Sequence, residues 1–491
     1  MRTLKNFIGG EWRESAGGKV QDLNPADTSE VIAEAPSSTS KEAAEACEAA
    51  AKAFEGWRNT PAPVRGQILY KVQRRMEERR QELAEALTRE EGKTIAESRG
   101  EVQRAINVIE FFAGEARRIT GETIPSELPH NFCYTVKQPV GPVGIITPWN
   151  FPVAIPVWKM APALVSGNTV VFKPATLTPL TAALIVEMFD ECGLPPGVLN
   201  LVYGGGREVG DTIVRHPAIQ AVSFTGSNDV GVGLYGAAAA RGIKCQCEMG
   251  GKNPIVILGD ADLALAVEST IQGAFGSTGQ RCTATSRAVV VDSIADEFLD
   301  RLQARTSSLV VGNGMDPATS LGPSVDERQL ETVLSYISVG RNEGARVVAG
   351  GARMKDGRHE RGFFVAPTIF DGVDPSMRIA QEEIFGPVLS LIRVKDAETA
   401  LATANGVRFG LSASIYTSDV ASMFRFVDRL EAGIVHVNSP TVGGEAHIPF
   451  GGMKATGVGL REMGRVAIDF YTELKVVYVD YTGGKRAGNL Y

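Results

Sequence analysis

The feature that most constrains this chain is a series of short, mostly apolar runs set between helix-like stretches. Gly144-Ile145-Ile146, Thr169-Val170-Val171-Phe172, Leu199 to Val202, Ala221 to Phe224 and Ile255-Val256-Ile257-Leu258 form that series. Strands that are apolar on both sides belong inside a sheet covered on both faces, and parallel neighbours need a crossover helix. The pattern therefore predicts an α/β fold: a doubly wound parallel sheet with helices on both faces. Leu180 to Cys192 reads as one such helix, ended at Gly193 and stopped by Pro195-Pro196. Thr39-Ser40-Lys41-Glu42 has the form of a capping box that opens an alanine-rich helix reaching about Phe54. Val64 to Glu91 carries apolar residues at helical spacing among many charges and predicts one solvated amphipathic helix.

A second block, from about Asp260 to Gly452, adds strand candidates at Ala288-Val289-Val290-Val291 and Gly433-Ile434-Val435-His436-Val437. A chain of 491 residues exceeds one ordinary core, and about two to four domains of roughly 100–200 residues are expected. No repeat or low-complexity linker separates them. Phe132-Cys133-Tyr134-Thr135-Val136 and Lys475-Val476-Val477-Tyr478-Val479-Asp480 stand apart as apolar strands. They are expected to pair with each other or with the sheet edge of another subunit.

Composition narrows the function. A hydrophobic fraction of 44% with 22% charged residues is that of a globular protein. A net charge of -7 argues against nucleic acid or an anionic membrane as partner. No apolar run reaches the roughly 18 residues of a membrane span, and Met1 to Phe7 lacks a signal-peptide core. A cytoplasmic location is expected. The six cysteines are irregularly spaced, which suits free thiols in a reducing compartment. Cys245 and Cys247 point to one side of a strand, but no third ligand stands nearby, so no metal site is expected.

Three segments carry chemistry. Cys282, in Gly279-Gln280-Arg281-Cys282, sits beside an arginine and a glycine, features of an accessible thiol; a buried cysteine is as often an inert small hydrophobe. Glu248 lies between strand-like residues and Gly250-Gly251, and reads either as a capping or solvated acid or as a base that activates water. Asn150, in Thr147-Pro148-Trp149-Asn150-Phe151-Pro152, offers an amide able to hold an oxyanion. A literal GxGxxG occurs at Gly231 to Gly236, but the strand-to-helix turn falls earlier, at Phe224-Thr225-Gly226-Ser227. Those glycines are expected inside the following helix, where they allow close packing. Gly226 and Ser227 would open that helix, with free amides for a cofactor phosphate.

These segments, with Phe172-Lys173-Pro174-Ala175, Glu248-Met249-Gly250-Gly251-Lys252, Glu382-Glu383-Ile384-Phe385-Gly386-Pro387 and Pro449-Phe450-Gly451-Gly452, resemble the aldehyde dehydrogenase superfamily over nearly the whole chain. The resemblance implies a Rossmann-type cofactor domain (residues 1–124 and 144–249) and an α/β catalytic domain (residues 250–452). A small β oligomerisation element (residues 125–143 and 474–491) would complete a homodimer or homotetramer. It implies that Cys282 forms a thiohemiacetal and then a thioester, that Asn150 and the Cys282 N–H hold the oxyanion, and that Glu248 activates the hydrolytic water. For an NAD(P) cofactor, Lys173 and Glu383 would bond ribose hydroxyls and Phe385 would pack near the nicotinamide ribose. Ile146, Thr147 and Trp149 would line the nicotinamide side, while Gly206, Gly226 and Ser227 approach the adenosine and pyrophosphate.

Departures from the family pattern refine this picture. Thr176 stands where NAD-preferring relatives often have glutamate, so NADP is expected to be accepted and preferred, with NAD also used. Phe151, Trp158 and Phe450 match the walls of the substrate passage. Trp158 and Gly276 occupy positions where succinic semialdehyde enzymes place arginines, which weighs against that substrate. Arg281 could recognise a carboxylate or keto group; alternatively it faces solvent or a neighbouring acid. The stretches around Trp158 and Cys282 look most like family members acting on α-ketoglutarate semialdehyde (2,5-dioxopentanoate), the expected substrate. The alternatives are a broad-specificity, succinic semialdehyde or betaine aldehyde dehydrogenase, or a catalytically silent structural protein of the same fold.

Overall fold

Residues 1–484 are described by the structure, a computed structural model. The predicted strands fall in two large sheets. The first has eight strands, in the order 457–458, 244–248, 221–225, 143–146, 170–173, 199–201, 6–8 and 11–13. Its five central strands are parallel, and the flanking pairs are antiparallel. In sequence the central strands run 5-4-1-2-3, so the winding reverses between Val143–Ile146 and Ala221–Thr225. The crevice beyond the carboxyl ends of two such strands is where open α/β sheets take ligands.

The second sheet has seven strands, in the order 346–349, 368–371, 388–394, 285–291, 253–257, 412–416 and 434–437. It is parallel except at Arg346–Ala349. A third sheet joins Thr472–Asp480 to Asn131–Pro139 along nine paired residues, with Thr123–Ile124 at its edge. The terminal strand thus pairs within its own chain. Leu474, Val476 and Tyr478 on it, and Phe132 beside it, remain exposed. The segment 485–491 of the expected oligomerisation element lies outside the described residues. No helix among the described residues is long and apolar enough to cross a membrane.

The helices follow their local signals. Ser40–Arg58 opens on the Thr39/Glu42 capping box and runs one turn beyond the predicted end. Pro179–Glu191 ends before Gly193, whose φ is +81°. Val64 to Glu91 forms two helices, Ala62–Glu78 and Arg80–Glu91. Arg79 leaves helical geometry between them and ties its guanidinium to Glu82, Glu187 and Glu191. The second helix is also less solvated than its charge suggests, with Glu90 and Glu91 buried. Asn228–Ala240 contains the whole GxGxxG run. Only Gly231 serves packing there: a Cβ on it would stand 2.6 Å from Met249 Sδ, whereas Gly236 faces open space and Gly233 borders a cleft.

Two buried helices position the site. Ala154–Val165 is buried along its whole length. It packs between the first sheet and Ile95–Glu115, which opens on its own capping box, Thr94/Glu97. Each large apolar side chain so buried contributes about 1.5–3 kcal/mol.

Candidate active site

Cys282 follows a strained turn. Ser277, Thr278 and Gly279 have φ of 49°, 57° and 66°, a left-handed run that costs a β-branched residue such as Thr278 about 1–3 kcal/mol. Specific bonds hold it. Glu97 Oε1 accepts from the Ser277 N–H at 2.5 Å, and Thr278 Oγ1 donates to the Gly322 carbonyl at 3.0 Å. Asn253 Nδ2 donates to the Cys282 carbonyl at 2.8 Å. The Cys282 N–H meets no acceptor among the described residues. Asn150 Nδ2 donates to the Gln280 carbonyl at 2.9 Å. A primary amide has two N–H donors, so one remains for an oxygen on the substrate. Lys93 fixes the backbone at this point: its Nζ donates to the Asn150 carbonyl at 2.6 Å and to Glu101 at 2.7 Å.

Cys282 and Asn150 line one cavity of about 220 Å³ at the switch point of the first sheet. Trp149, Gly226, Ser227, Glu383 and Phe385 share its wall. Burial pushes the Cys282 thiol up to about 12, with the charges of Glu383 and Glu248 adding to the effect and Arg104 opposing it. Glu383 is raised to about 7, chiefly by burial, although its Oε1 accepts from the Gly251 N–H at 3.0 Å. A Cβ on Gly250 would collide with that carboxylate, which explains the glycine. The Trp149 and Phe385 rings meet edge to face at 5.4 Å.

Glu248 ends the strand Lys244–Glu248 but does not line the cavity. Its carboxyl rests against the bare Cα atoms of Gly451 and Gly457, and Oε2 is buried without a partner. Burial holds it well above the usual carboxylate range, and the neighbouring Glu462 charge adds to this. Glu462 itself pairs with the buried Lys159 and accepts from Trp158 Nε1 at 2.8 Å.

A second cleft, of about 480 Å³, continues from the sheet ends between the helices at 211–215 and 228–240. Gly206 lines it. Ile146 lines it too: it is the last residue of its strand and projects toward Gly210. Lys173 is buried with only the Pro174 carbonyl to bond, at 2.8 Å, and burial lowers its pKa to about 8. Thr176 is exposed nearby. The hydroxyls of Thr147 and Thr225 are buried without partners. Buried orphan donors, free amides opening Asn228–Ala240 and two clefts beyond the same sheet fit an extended phosphate-bearing cofactor.

Of the expected substrate walls, the Trp158 and Phe450 rings meet tilted with centroids 5.5 Å apart, and Phe151 lies under Lys93 Nζ at 4.1 Å. The structure gives Arg281 a neighbouring acid, Glu97, at 3.1 Å, while its Nε donates to Ser277 Oγ at 2.9 Å. Its guanidinium is therefore engaged in holding the nucleophile turn. Three residues escaped the sequence reading. Glu97 is not singled out there. Gln329, which lines the cavity and donates to the Ile384 and Phe385 carbonyls, stands in no motif. Arg104 is one charge among many on an amphipathic helix. Cys245 and Cys247 do share a face, with sulfurs 3.6 Å apart, and no metal cluster is present among the described residues.

A parallel α/β scaffold with a thiol, an amide and a nucleotide-shaped cleft at one switch point defines an oxidoreductase of carbonyl groups. The aldehyde dehydrogenase family profile matches residues 12–477, and the chain belongs to that family. It is 48% identical over 478 residues to the alpha-ketoglutaric semialdehyde dehydrogenase of Bacillus subtilis (strain 168), covering 97% of this chain and 98% of that one. It is 45% identical to the 2,5-dioxopentanoate dehydrogenase of Saccharolobus solfataricus, covering 97% and 99%. Among solved structures, betaine aldehyde dehydrogenase from Staphylococcus aureus in complex with NAD+ superposes with a TM-score of 0.96 at 36% identity, covering 99% of this chain and 96% of that one.

Proposed function

We propose that the protein oxidises α-ketoglutarate semialdehyde to the corresponding acid through a thioester on Cys282. The observation that carries the chemistry is the meeting of Cys282 and Asn150 in a single cavity at the sheet's switch point. The Cys282 thiol gives its proton to water, the thiolate adds to the aldehyde carbon, and the resulting oxyanion takes one hydrogen bond from Asn150 Nδ2 and one from the free Cys282 N–H. A nicotinamide held in this cavity would supply the hydride acceptor needed for oxidation of the adduct to the thioester. Glu248 swings from its rest against Gly451 toward the thioester and takes a proton from the attacking water. Its raised proton affinity suits a base that must hold that proton. Lys173 and Glu383 hold the cofactor's riboses, and Ser227 opens the helix that faces its phosphates.

Names of the relatives support the acid semialdehyde as substrate. The exposed, neutral Thr176 beside Lys173 supports acceptance of NADP, and preference for it, since no carboxylate there repels a 2′-phosphate. Six free cysteines support a cytoplasmic setting. The exposed apolar face of Thr472–Asp480 supports assembly into a homodimer or homotetramer. One panel tests the reading: kcat/KM for 2,5-dioxopentanoate, succinic semialdehyde, betaine aldehyde and hexanal, each with NAD and with NADP. The five-carbon acid should lead, with NADP the better cofactor. A lead for betaine aldehyde or hexanal would remove the substrate assignment, and a large NAD preference the cofactor assignment.

A further inference from the structure

One guanidinium on the substrate side has no partner of its own. Arg104 lies on Ile95–Glu115, with its carbon 5.2 Å from the centroid of the Trp158 ring. One terminal nitrogen approaches Met463 Sδ at 3.4 Å, and the buried Nε–H meets no acceptor. No ion pair involves it among the described residues. The carboxylate whose charge acts on it, Glu101, is already occupied. Glu101 Oε2 takes the Lys93 ammonium at 2.7 Å, and Oε1 takes the amides of Val153 and Ala154 at 2.9 and 3.1 Å. Arg281, the other guanidinium near the thiol, has Glu97.

Cations with part-buried, unbonded N–H groups are costly and are normally paired. An incomplete pair facing a passage suits an anion that arrives with the substrate. Arg104 occupies such a position. It borders an open cleft of about 660 Å³ whose wall also holds Glu110, Arg118, and Glu445 paired with His447 at 3.7 Å. It is also close enough to Cys282 for its charge to favour the thiolate. A Cβ on Gly444 would stand 3.0 Å from the guanidinium, so the glycine leaves the approach clear.

We infer that Arg104 receives the carboxylate at the far end of an acid semialdehyde and so orients the aldehyde carbon toward Cys282. This rests on the acid-semialdehyde reading above, and the test separates the two. The readout is the ratio of kcat/KM for 2,5-dioxopentanoate to that for hexanal, in the wild type, Arg104→Met, Arg104→Lys and Arg281→Met. Arg104→Met should lower the ratio by about 100-fold, mostly through KM for the acid, because one side of a desolvated charge pair is lost. Arg104→Lys should fall between, since an ammonium keeps the charge without the bidentate fork. Arg281→Met should move the ratio far less. Glutarate should compete with hexanal in the wild type and bind about tenfold or more weakly to Arg104→Lys, a check that does not depend on the methionine variant folding. A wild-type preference for the acid that persists in Arg104→Met and Arg104→Lys overturns this inference alone. No acid preference in the wild type overturns the substrate reading and this inference with it.

Discussion

The two approaches to Cys282 are built from different materials. On the side proposed for the cofactor the walls are strand ends, the opening amides of Asn228–Ala240 and glycines such as Gly250, whose missing Cβ admits the Glu383 carboxylate. On the side proposed for the substrate they are side chains: Arg104 from Ile95–Glu115, Trp158 from Ala154–Val165, and Phe450 against Trp158. A wall of backbone is fixed by the fold and tolerates few substitutions. A wall of side chains can change charge and shape while the strand ends stay in place. Chemistry and selectivity can therefore be altered separately in this molecule, and the comparison breaks wherever a change on one side is felt on the other.

The largest effect should come from the atom both sides share. Cys282→Ala should lower turnover by about 10⁴-fold or more, since the remaining groups cannot form the covalent adduct. Fluorescence titration should still detect cofactor binding, because that wall is backbone. Next in size is the pH dependence of the thiol. With its pKa pushed up to about 12, little thiolate exists near neutrality, and each pH unit should add up to tenfold. Alkylation of the cofactor-free protein by iodoacetamide should rise by about two to three orders of magnitude from about pH 6 to pH 9, without a plateau. Glu383, raised to about 7, ionises within that span and makes the rise shallower than tenfold per unit near neutrality. A plateau near pH 7 would show the thiol ionising without help from either side. Asn150→Ala should follow, with kcat reduced by about 10²–10³-fold for acid and neutral aldehydes alike. Unequal losses would mean that the oxyanion donor also reads the substrate.

The same division explains what was legible in the sequence. The central strands of the first sheet are nearly continuous apolar runs because both their faces are covered, and so they stand out. Gly226 and Ser227 stand at a strand-to-helix turn that the local pattern shows, whereas Glu383 and Phe385 come from the resemblance to aldehyde dehydrogenases. The resemblance places Ile146 among the cofactor contacts, and strand alternation turns it to the second cleft. The break at Arg79 depends on Glu187 and Glu191, about 110 residues away; nothing within Val64 to Glu91 announces it. Arg104 looks like any exposed charge on an amphipathic helix until Glu101 is found bonded to Lys93. Arg281 reads as a cation for the substrate or as one facing solvent or a neighbouring acid, and only the fold brings Glu97 against it. Pairing of charges is a tertiary property, and the substrate side is made of it.

Glu97 gives the smallest and sharpest test, because it stands where the two walls meet. Its Oε1 accepts from Ser277 and pairs with Arg281, and its Oε2 caps its own helix at Thr94. Glu97→Ala removes the bonds that hold the left-handed run before Cys282, and should cost about 1–3 kcal/mol of stability. A thiol less firmly placed should lower kcat about tenfold, with KM for the aldehyde less affected. Glu97→Gln keeps an acceptor oxygen while losing the ion pair, and should lie between. The informative quantity is again the acid-to-neutral ratio of kcat/KM. If Arg281 belongs to the nucleophile turn, as its contacts with Glu97 and Ser277 indicate, both substrates lose rate together. If freeing Arg281 instead raises the preference for the acid, that guanidinium can reach the substrate, and the wall assigned here to Arg104 has a second cation.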